Sequence, residues 1–360
     1  MLDPHVIEQR LSAYLGAKIA RTSILASGWE TTVFEFVLSS RSTSCPALPV
    51  GKPLALRFYQ GSQADAKWRR EHTTIERLSI AGFRVPHPYA FEPDHGALGA
   101  PFLIMERLEG GPLFSIRSFP ESFATFSMGF FSFVQHHARL HKFDPAMPGL
   151  RDIQHAYLTP GASPDAPLLD RVLAIIAERV ENGPLPGLRA ALRRVTERAP
   201  SFKAATPSLL HMDYHPINVM VKRFRVTGII DWVNADVGDR HLDAAMTAVI
   251  LSSSALEGPI WMRDNALGNG LRSSFALMYL PLYHAMAPMD FERFRYCQAV
   301  AALLRLSMMG MMRTRGPETV GFRSEAINEV TPAVVRLLTR YATRTSGADV
   351  RLDLTTPQLA

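Results

Sequence analysis

The chain has 360 residues, of which 47% are hydrophobic and 20% are charged. This composition is that of a folded globular protein and excludes a disordered or collagen-like chain. Lys and Arg number 39 and Asp and Glu number 33, which gives a net charge of +6. The basic residues are dispersed and do not alternate with aromatic residues, so we expect no nucleic-acid partner.

Cysteine content and hydropathy exclude two further classes of protein. Cys45 and Cys297 lie far apart in the sequence, which excludes a disulfide framework and a CxxC zinc site. No apolar run reaches the about 18 residues that span a membrane, and the first residues lack the pattern of a signal peptide. We therefore expect a soluble cytoplasmic protein with no membrane partner. The sequence leaves the oligomeric state open.

The first part of the chain combines short strands with two helices. Helices are predicted over 4–20 and over 63–81, the second ending at Gly82 with prolines beyond it. Runs rich in Val, Ile, Leu, Phe and Tyr predict strands over 23–26, 33–38, 53–59 and 102–108. This pattern predicts a small α+β lobe over residues 1–108.

The rest of the chain is predicted to be mainly helical. Helices are expected over 120–142, 166–182, 186–198, 240–253, 270–285, 290–313 and 324–344. Residues 208–232 interrupt them, because apolar residues alternate on both sides of a polar turn and so predict a β-hairpin. We assign 109–345 to a second lobe and 346–360 to a flexible tail.

Three polar side chains flank the predicted hairpin. Asp213 precedes it in the run His211-Met212-Asp213, Asn218 opens it, and Asp231 closes it. The spacing H-x-D-x-x-x-x-N matches a kinase catalytic loop, and Asp231 stands where the metal-binding Asp of kinases belongs. Phosphoryl transfer needs a carboxylate near the attacking hydroxyl and oxygen ligands for Mg²⁺. We therefore predict Asp213 as the catalytic base and Asn218 and Asp231 as metal ligands. The alternative is a capped turn with a strand-terminal Asp.

The runs HMDYHPINVMV and GIIDW resemble the aminoglycoside phosphotransferase and choline kinase family of small-molecule kinases. The resemblance covers about residues 20–320. It implies the bilobal protein-kinase-like fold, with an antiparallel N-lobe sheet plus a helix and a mainly helical C-lobe that carries the catalytic hairpin. It also implies transfer of the γ-phosphate of ATP or GTP, with Mg²⁺, to a hydroxyl group of a small molecule.

The N-terminal lobe contains further runs that resemble this family. LASGWETTVFEF resembles its nucleotide loop, although Gly28 is the only glycine of the usual pattern. In LALRFY, Ala55 would face adenine, and Arg57 stands where the family usually has a phosphate-binding Lys. Glu71 falls where the family's ion-pairing Glu sits, with Glu76 as a weaker rival. The alternatives are an ordinary turn at Gly28 and a solvent-exposed Arg57.

Two runs complete the resemblance. FLIMERLEGGPL resembles the hinge between the lobes, which implies that adenine binds to the backbone near Glu106 to Leu108. VGDRHLDAAM resembles the family's G-D-P-x-x-D-L-A; there we expect Asp239 to cap a helix and Asp243 to support the catalytic loop.

His137 and His141 lack the Glu of a zinc-protease motif, so we interpret them as core or surface histidines.

The acceptor is not identified by the sequence. Residues 255–323 contain eight Arg, no Lys and five acidic residues, which argues against a pocket for a polycationic aminoglycoside. Eight Met and three Tyr in the same segment suit a bulky apolar acceptor such as a macrolide, and plain helix core is the alternative. An aminoglycoside, a macrolide and a metabolite therefore stay open. A nucleotide-binding pseudokinase or regulatory module is the second hypothesis, supported by Arg57 and the reduced glycine loop.

Overall fold

The computed structural model describes residues 3–27, 31–61, 63–114, 119–147, 150, 157, 163, 165–203, 205–254 and 263–353. Within these residues, no helix has the length and hydropathy to cross a membrane. The chain folds into a sheet-containing N-terminal lobe and a mainly helical C-terminal lobe, which confirms the predicted bilobal α+β class.

The N-terminal lobe is built on one antiparallel sheet. Helix α1 (Pro4–Leu15) is shorter than predicted, because Gly16 takes the left-handed conformation that ends a helix. The remaining elements are β1 (Ile19–Ser27), β2 (Thr31–Leu38), β3 (Pro53–Tyr59), α2 (Ala64–Ile80), β4 (Pro88–Glu92), α3 (His95–Leu98) and β5 (Phe102–Glu106). The strand order is β1-β2-β3-β5-β4. Central strand β3 is buried at every residue after Pro53, which places Arg57 inside the protein.

Strand β4 was not predicted from the sequence. It begins at Pro88 and forms an edge of the sheet, where a missing backbone N–H is tolerated. Its residues are mostly half-buried, so they lack the strong apolar alternation that marks a strand in sequence.

The C-terminal lobe contains long helices and two small sheets. Its helices are α4 (Phe119–Leu140), α5 (Leu168–Asn182), α6 (Arg189–Arg198), α7 (Arg240–Ser253), α8 (Ala266–Met286), α9 (Phe291–Arg315) and α10 (Pro332–Ser346). Its strands are β6 (Gly111–Pro112), β7 (Pro207–Leu210), β8 (Val219–Lys222), β9 (Arg225–Ile229) and β10 (Asp236–Asp239), paired as β6-β8-β9 and β7-β10. Helix α10 begins later than predicted, because Thr331 caps it and residues 324–329 form a separate 3₁₀ turn.

Helix α9 lies at the centre of the C-terminal lobe and packs against α5, α7 and α10. The methionines of the predicted acceptor segment are mostly part of this core: Met309 and Met312 are 1% exposed, whereas Met278 on α8 is 45% exposed. The structure therefore supports the plain-core interpretation of most of these methionines over an apolar acceptor wall.

The predicted hairpin is formed by β8 and β9. Arg223 and Phe224 make its turn, and both have positive φ, as a two-residue hairpin turn requires. Asn218 immediately precedes the first strand and Asp231 follows the second, so the hairpin returns both residues to the same end of the sheet.

Part of the predicted tail packs on the C-terminal lobe. Ala348 is 5% exposed and Val350 is 4% exposed. The backbone amide of Arg351 donates to the carbonyl of Gly187 at 3.2 Å. Residues 348–351 therefore contact the helices rather than extending away from them.

Candidate active site

The loop that carries Asp213 is held in a strained conformation by one buried carboxylate. Met212 has a φ of 62°, which is costly for a residue with a side chain. Asp243 at the start of α7 accepts hydrogen bonds from the backbone amides of His211 at 2.7 Å and of Met212 at 2.9 Å. These charge-assisted bonds stabilise the turn, so Asp243 supports the loop as expected, and Asp239 caps α7 as expected.

His211 joins the loop to the hairpin. Its Nε2 lies 3.0 Å from the carbonyl of Ile230, and its Nδ1 accepts from the amide of Asp213 at 3.3 Å. This pairing requires a neutral imidazole with the proton on Nε2. Burial lowers the pKa of His211, which agrees with the neutral form. The expected bracing role of His211 through backbone contacts is therefore confirmed.

Two further histidines lie behind Asp243. His141 Nε2 is 3.0 Å from Asp243 Oδ2, and His137 Nε2 is 3.3 Å from the same oxygen. Their Nδ1 atoms meet the hydroxyl groups of Tyr283 at 2.5 Å and Tyr279 at 2.8 Å. Both histidines are buried, so they belong to the core. The three side chains also lie close enough together to hold a metal ion. His137 Nε2 makes only the 3.3 Å contact with Asp243 and no hydrogen bond of regular geometry.

Asp213 is a half-buried carboxylate surrounded by hydrogen-bond donors. Its Oδ2 lies 3.5 Å from His215 Nε2 and 3.4 Å from Asn218 Nδ2. Burial alone would raise the pKa of Asp213, but His215, Arg305 and His211 outweigh it and lower the pKa to about 2. Asp213 is therefore ionised at neutral pH and can accept a proton or orient a hydroxyl group.

Asn218 and Asp231 present oxygen atoms near this carboxylate. The Nδ2 of Asn218 donates to the carbonyl of Asp213 at 3.0 Å, which leaves its amide oxygen available. The amide of Ile230 donates to the carbonyl of Asn218 at 3.0 Å and so closes the end of the hairpin. Asp231 has a φ of 69°, a second strained residue at the site. One amide oxygen and one carboxylate are hard ligands of the kind that Mg²⁺ prefers.

Arg57 forms a buried ion-pair chain between the lobes. Its Nε lies 2.9 Å from Glu71 Oε2, and its Nη2 donates to Asp231 Oδ1 at 2.5 Å. Burial alone would lower the pKa of Arg57, but Asp231 and Glu71 outweigh it and raise the pKa above its usual value. Arg57 is 4% exposed, which contradicts the solvent-exposed alternative.

Glu71 is fixed by partners other than Arg57. It accepts hydrogen bonds from the hydroxyl of Tyr59 at 2.6 Å and from the backbone amide of Trp232 at 3.0 Å. Burial raises its pKa, and the charge of Arg57 opposes that shift. Glu76 instead lies on the surface, 3.9 Å from Arg77, so it does not compete for Arg57.

The expected adenine region lies along β3 and the segment after β5. Ala55 is 4% exposed and shares a strand face with Arg57. The amide of Glu106 donates to the carbonyl of His87 at 2.8 Å. The carbonyl of Leu108 accepts a hydrogen bond from the Arg107 side chain. The Glu106 amide and the Leu108 carbonyl are therefore both hydrogen-bonded within the chain. Gly28 lies outside the described residues.

Sequence reasoning missed three residues that act on Asp213, namely His215, Tyr157 and Arg305, and a fourth, Arg179, that acts on Tyr157. His215 contacts Asp213 directly and could have been found from its place two residues along the motif. Tyr157, Arg179 and Arg305 come from other parts of the C-terminal lobe, and their charges act on one another or on Asp213. Nothing in the local pattern of α5 or α9 distinguishes these arginines from surface arginines.

Comparison with known proteins identifies the family. The model of the phosphotransferase enzyme family (APH) matches residues 21–289. The chain belongs to this family. No curated protein matches the chain.

Solved structures share the fold at low sequence identity. A variant of aminoglycoside 2′-phosphotransferase IIIa in complex with GDP is 14% identical, with a TM-score of 0.60 over 96% of this chain and 99% of that chain. A thermostable aminoglycoside phosphotransferase (4)-Ia in ternary complex with AMP-PNP and hygromycin B is 16% identical, with a TM-score of 0.58 over 91% and 97% of the two chains. Macrolide 2′-phosphotransferase from Brachybacterium faecium is 16% identical, with a TM-score of 0.54 over 89% and 97%. The predicted kinase-like fold is therefore confirmed, and the family makes this chain a kinase-type phosphotransferase.

Proposed function

We propose that the protein transfers the γ-phosphate of ATP or GTP to a hydroxyl group of a small molecule, with Mg²⁺ as the metal. The observation that supports this most is the environment of Asp213. An ionised carboxylate lies within 3.5 Å of His215 and Asn218, on a loop fixed by Asp243. The related structures with AMP-PNP and with GDP support a nucleoside triphosphate as the donor.

Asp213 would face the acceptor hydroxyl. In the reaction, the hydroxyl oxygen bonds to the γ-phosphorus, the bond to the β–γ bridging oxygen breaks, and the hydroxyl proton passes to Asp213. The pKa of about 2 makes Asp213 a weak base. Its principal contribution would therefore be to orient the hydroxyl and to accept its proton late, as the new bond forms.

Asn218 and Asp231 would hold Mg²⁺, which neutralises charge on the nucleotide phosphates when bound. The donor set fits this ion. Asn218 keeps its amide oxygen, because its Nδ2 is engaged by the carbonyl of Asp213. Asp231 meets Arg57 through Oδ1, and its second oxygen has no hydrogen bond to another described residue.

Arg57 would hold the nucleotide phosphates in place of the usual Lys, with Glu71 fixing the guanidinium from behind. Gly28 and Ala55 would contact the nucleotide, and adenine would bond to the backbone near Glu106 and Leu108. The hydrogen bond from Arg107 to the Leu108 carbonyl would have to be released if the base used that carbonyl.

Arg57 supports the pseudokinase alternative as a departure from the usual Lys, but its pairing with Glu71 and Asp231 is the arrangement expected of a phosphate-binding cation. The deciding experiment measures ADP or GDP release with Mg-ATP or Mg-GTP across hydroxylated aminoglycosides, macrolides and metabolites. We expect release that depends on one acceptor class and is absent in Asp213→Asn. Nucleotide binding without release in any combination would favour the pseudokinase.

A further inference from the structure

Arg305 is a half-buried arginine of the C-terminal lobe that has no side-chain partner among the described residues. It lies on the central helix α9, and its Nε is buried and makes no hydrogen bond. Across the described ranges, its side chain forms no ion pair or hydrogen bond of any kind. Arg171, on α5, is instead paired and donates to both oxygens of Asp236 at 2.9 Å. Arg305 as a whole is half-buried. A cation that is partly shielded from water and has no anion beside it is costly, so this position suits an anionic partner from outside the chain.

The electrostatic surroundings of Arg305 place it near Asp213. Burial lowers its pKa, and the charges of Asp213, Tyr157 and Glu329 oppose that shift. None of these groups comes within ion-pair distance of the guanidinium. The negative charge of Asp213 therefore acts on Arg305 without forming an ion pair, and the guanidinium can bind a second anion.

A second arginine lies in the same region. Arg179 is on α5, which packs directly against α9. Its side chain also makes no hydrogen bond or ion pair with the part of the chain described. Burial lowers its pKa to about 10 against the opposing charges of Tyr157 and Glu178, so it remains cationic at neutral pH.

Tyr157 lies within electrostatic range of Asp213 and of both arginines. Burial raises its pKa, and the charges of Asp213 and Asp236 raise it further, so the phenol stays protonated and can donate a hydrogen bond. Its φ of 60° is unusual for a residue with a side chain, and such strain concentrates at binding sites.

We propose that the acceptor carries a carboxylate or phosphate group that Arg305 and Arg179 bind, while its hydroxyl group faces Asp213. This inference rests on the proposed function and specifies its substrate class. A guanidinium offers a planar pair of N–H donors that match a carboxylate or phosphate. The excess of Arg over acidic residues in 255–323 also favours an anionic acceptor. A polycationic acceptor would meet like charges here.

The test compares acceptors that differ only in the anion. Phosphotransfer with Mg-ATP is measured for gluconate against gluconamide, glycerate against glyceramide, and glycerol phosphate against glycerol. The first two pairs test a carboxylate and the third a phosphate. The variants are Arg305→Ala and Arg305→Lys. Arg295→Ala is the matched control, because Arg295 lies exposed on the same helix.

We expect the anionic member of at least one pair to be preferred by wild type. Arg305→Ala should lower kcat/KM for that acceptor by about 10- to 100-fold, the range for a hydrogen bond to a charged group, mainly through KM. The neutral member should change by less than a few-fold. Arg305→Lys should restore part of the loss, and Arg295→Ala should behave as wild type.

Two results would overturn the proposal. One is the absence of any anionic preference in wild type. The other is an equal loss for both members of a pair, accompanied by a shift in the pH profile, because Arg305 would then act through Asp213. Calorimetry with each anion separates this inference from the proposed function. If wild type binds an anion without transferring phosphate, and Arg305→Ala abolishes that binding, the anion site is retained and the kinase assignment is rejected.

Discussion

Replacing Arg57 with alanine should affect both stability and phosphotransfer. The substitution removes the cation between Glu71 and Asp231 and leaves Glu71 fully buried. Removing one partner of a buried ion pair costs about 3–5 kcal/mol. Glu71 retains its hydrogen bonds from Tyr59 and Trp232, so we expect the lower part of that range.

The loss should depend on pH in a defined direction. In the variant, burial raises the pKa of Glu71 without opposition from Arg57. A carboxyl group with a higher pKa in the folded state than in the unfolded state stabilises the fold while it is protonated. This contribution to the free energy of unfolding is lost as pH rises from 4.5, the unfolded pKa, through the raised pKa of the folded state. Denaturant unfolding should therefore show a larger deficit for Arg57→Ala at pH 8 than at pH 5.

Kinetics provide the second measurement. Arg57→Ala should weaken nucleotide binding and slow transfer together, and Arg57→Lys should restore only part of both. Glu71→Gln should give a milder defect, and the double variant should be non-additive, because the two residues form one unit. Arg21→Ala is the control, since its ion pair with Glu35 is exposed. Normal kinetics for Arg57→Ala, or equal unfolding deficits at both pH values, would refute this reasoning.

Three further predictions concern the same site. Asp213→Asn should lower turnover by about 10²–10⁴-fold with nucleotide affinity nearly unchanged; turnover within a few-fold of wild type would contradict the base assignment. Asp231→Ala should abolish Mg²⁺-dependent nucleotide binding, and equal Mg-ATP affinity by calorimetry would contradict the ligand assignment. Burial and the charge of His141 lower the pKa of His137 from 6.5 to about 4. Its contribution to the free energy of unfolding should therefore fall by about 3 kcal/mol as pH drops from 6.5 to 4. Unfolding at several pH values tests this, with exposed His95→Gln as the control; His137→Gln should remove this part of the pH dependence, whereas buried His211, whose pKa burial also lowers, keeps its own share.

The sequence determined the parts of this protein that depend on local pattern. Helix α7 has the predicted bounds, 240–253, because Asp239 caps it and its apolar spacing is regular. The hairpin followed from alternating apolar residues on both sides of a turn. The period-two alternation of β3 placed Ala55 and Arg57 on one face, and the structure then brings Arg57 to Glu71. Each of these inferences uses residues within a few positions of one another.

Only the tertiary structure decided the contacts made across long stretches of chain. The positions of His137 and His141 behind Asp243, and of Arg305 near Asp213, follow from the packing of α4, α7 and α9. In sequence, the histidines resemble core or surface residues and Arg305 resembles any helical arginine. Arg305 is distinguished by a buried Nε and by the absence of a partner among the described residues, and both depend on the residues that surround it in space. For the same reason most methionines near the C-terminus proved to be core, since side-chain type alone does not determine whether a residue packs inside or lines a site.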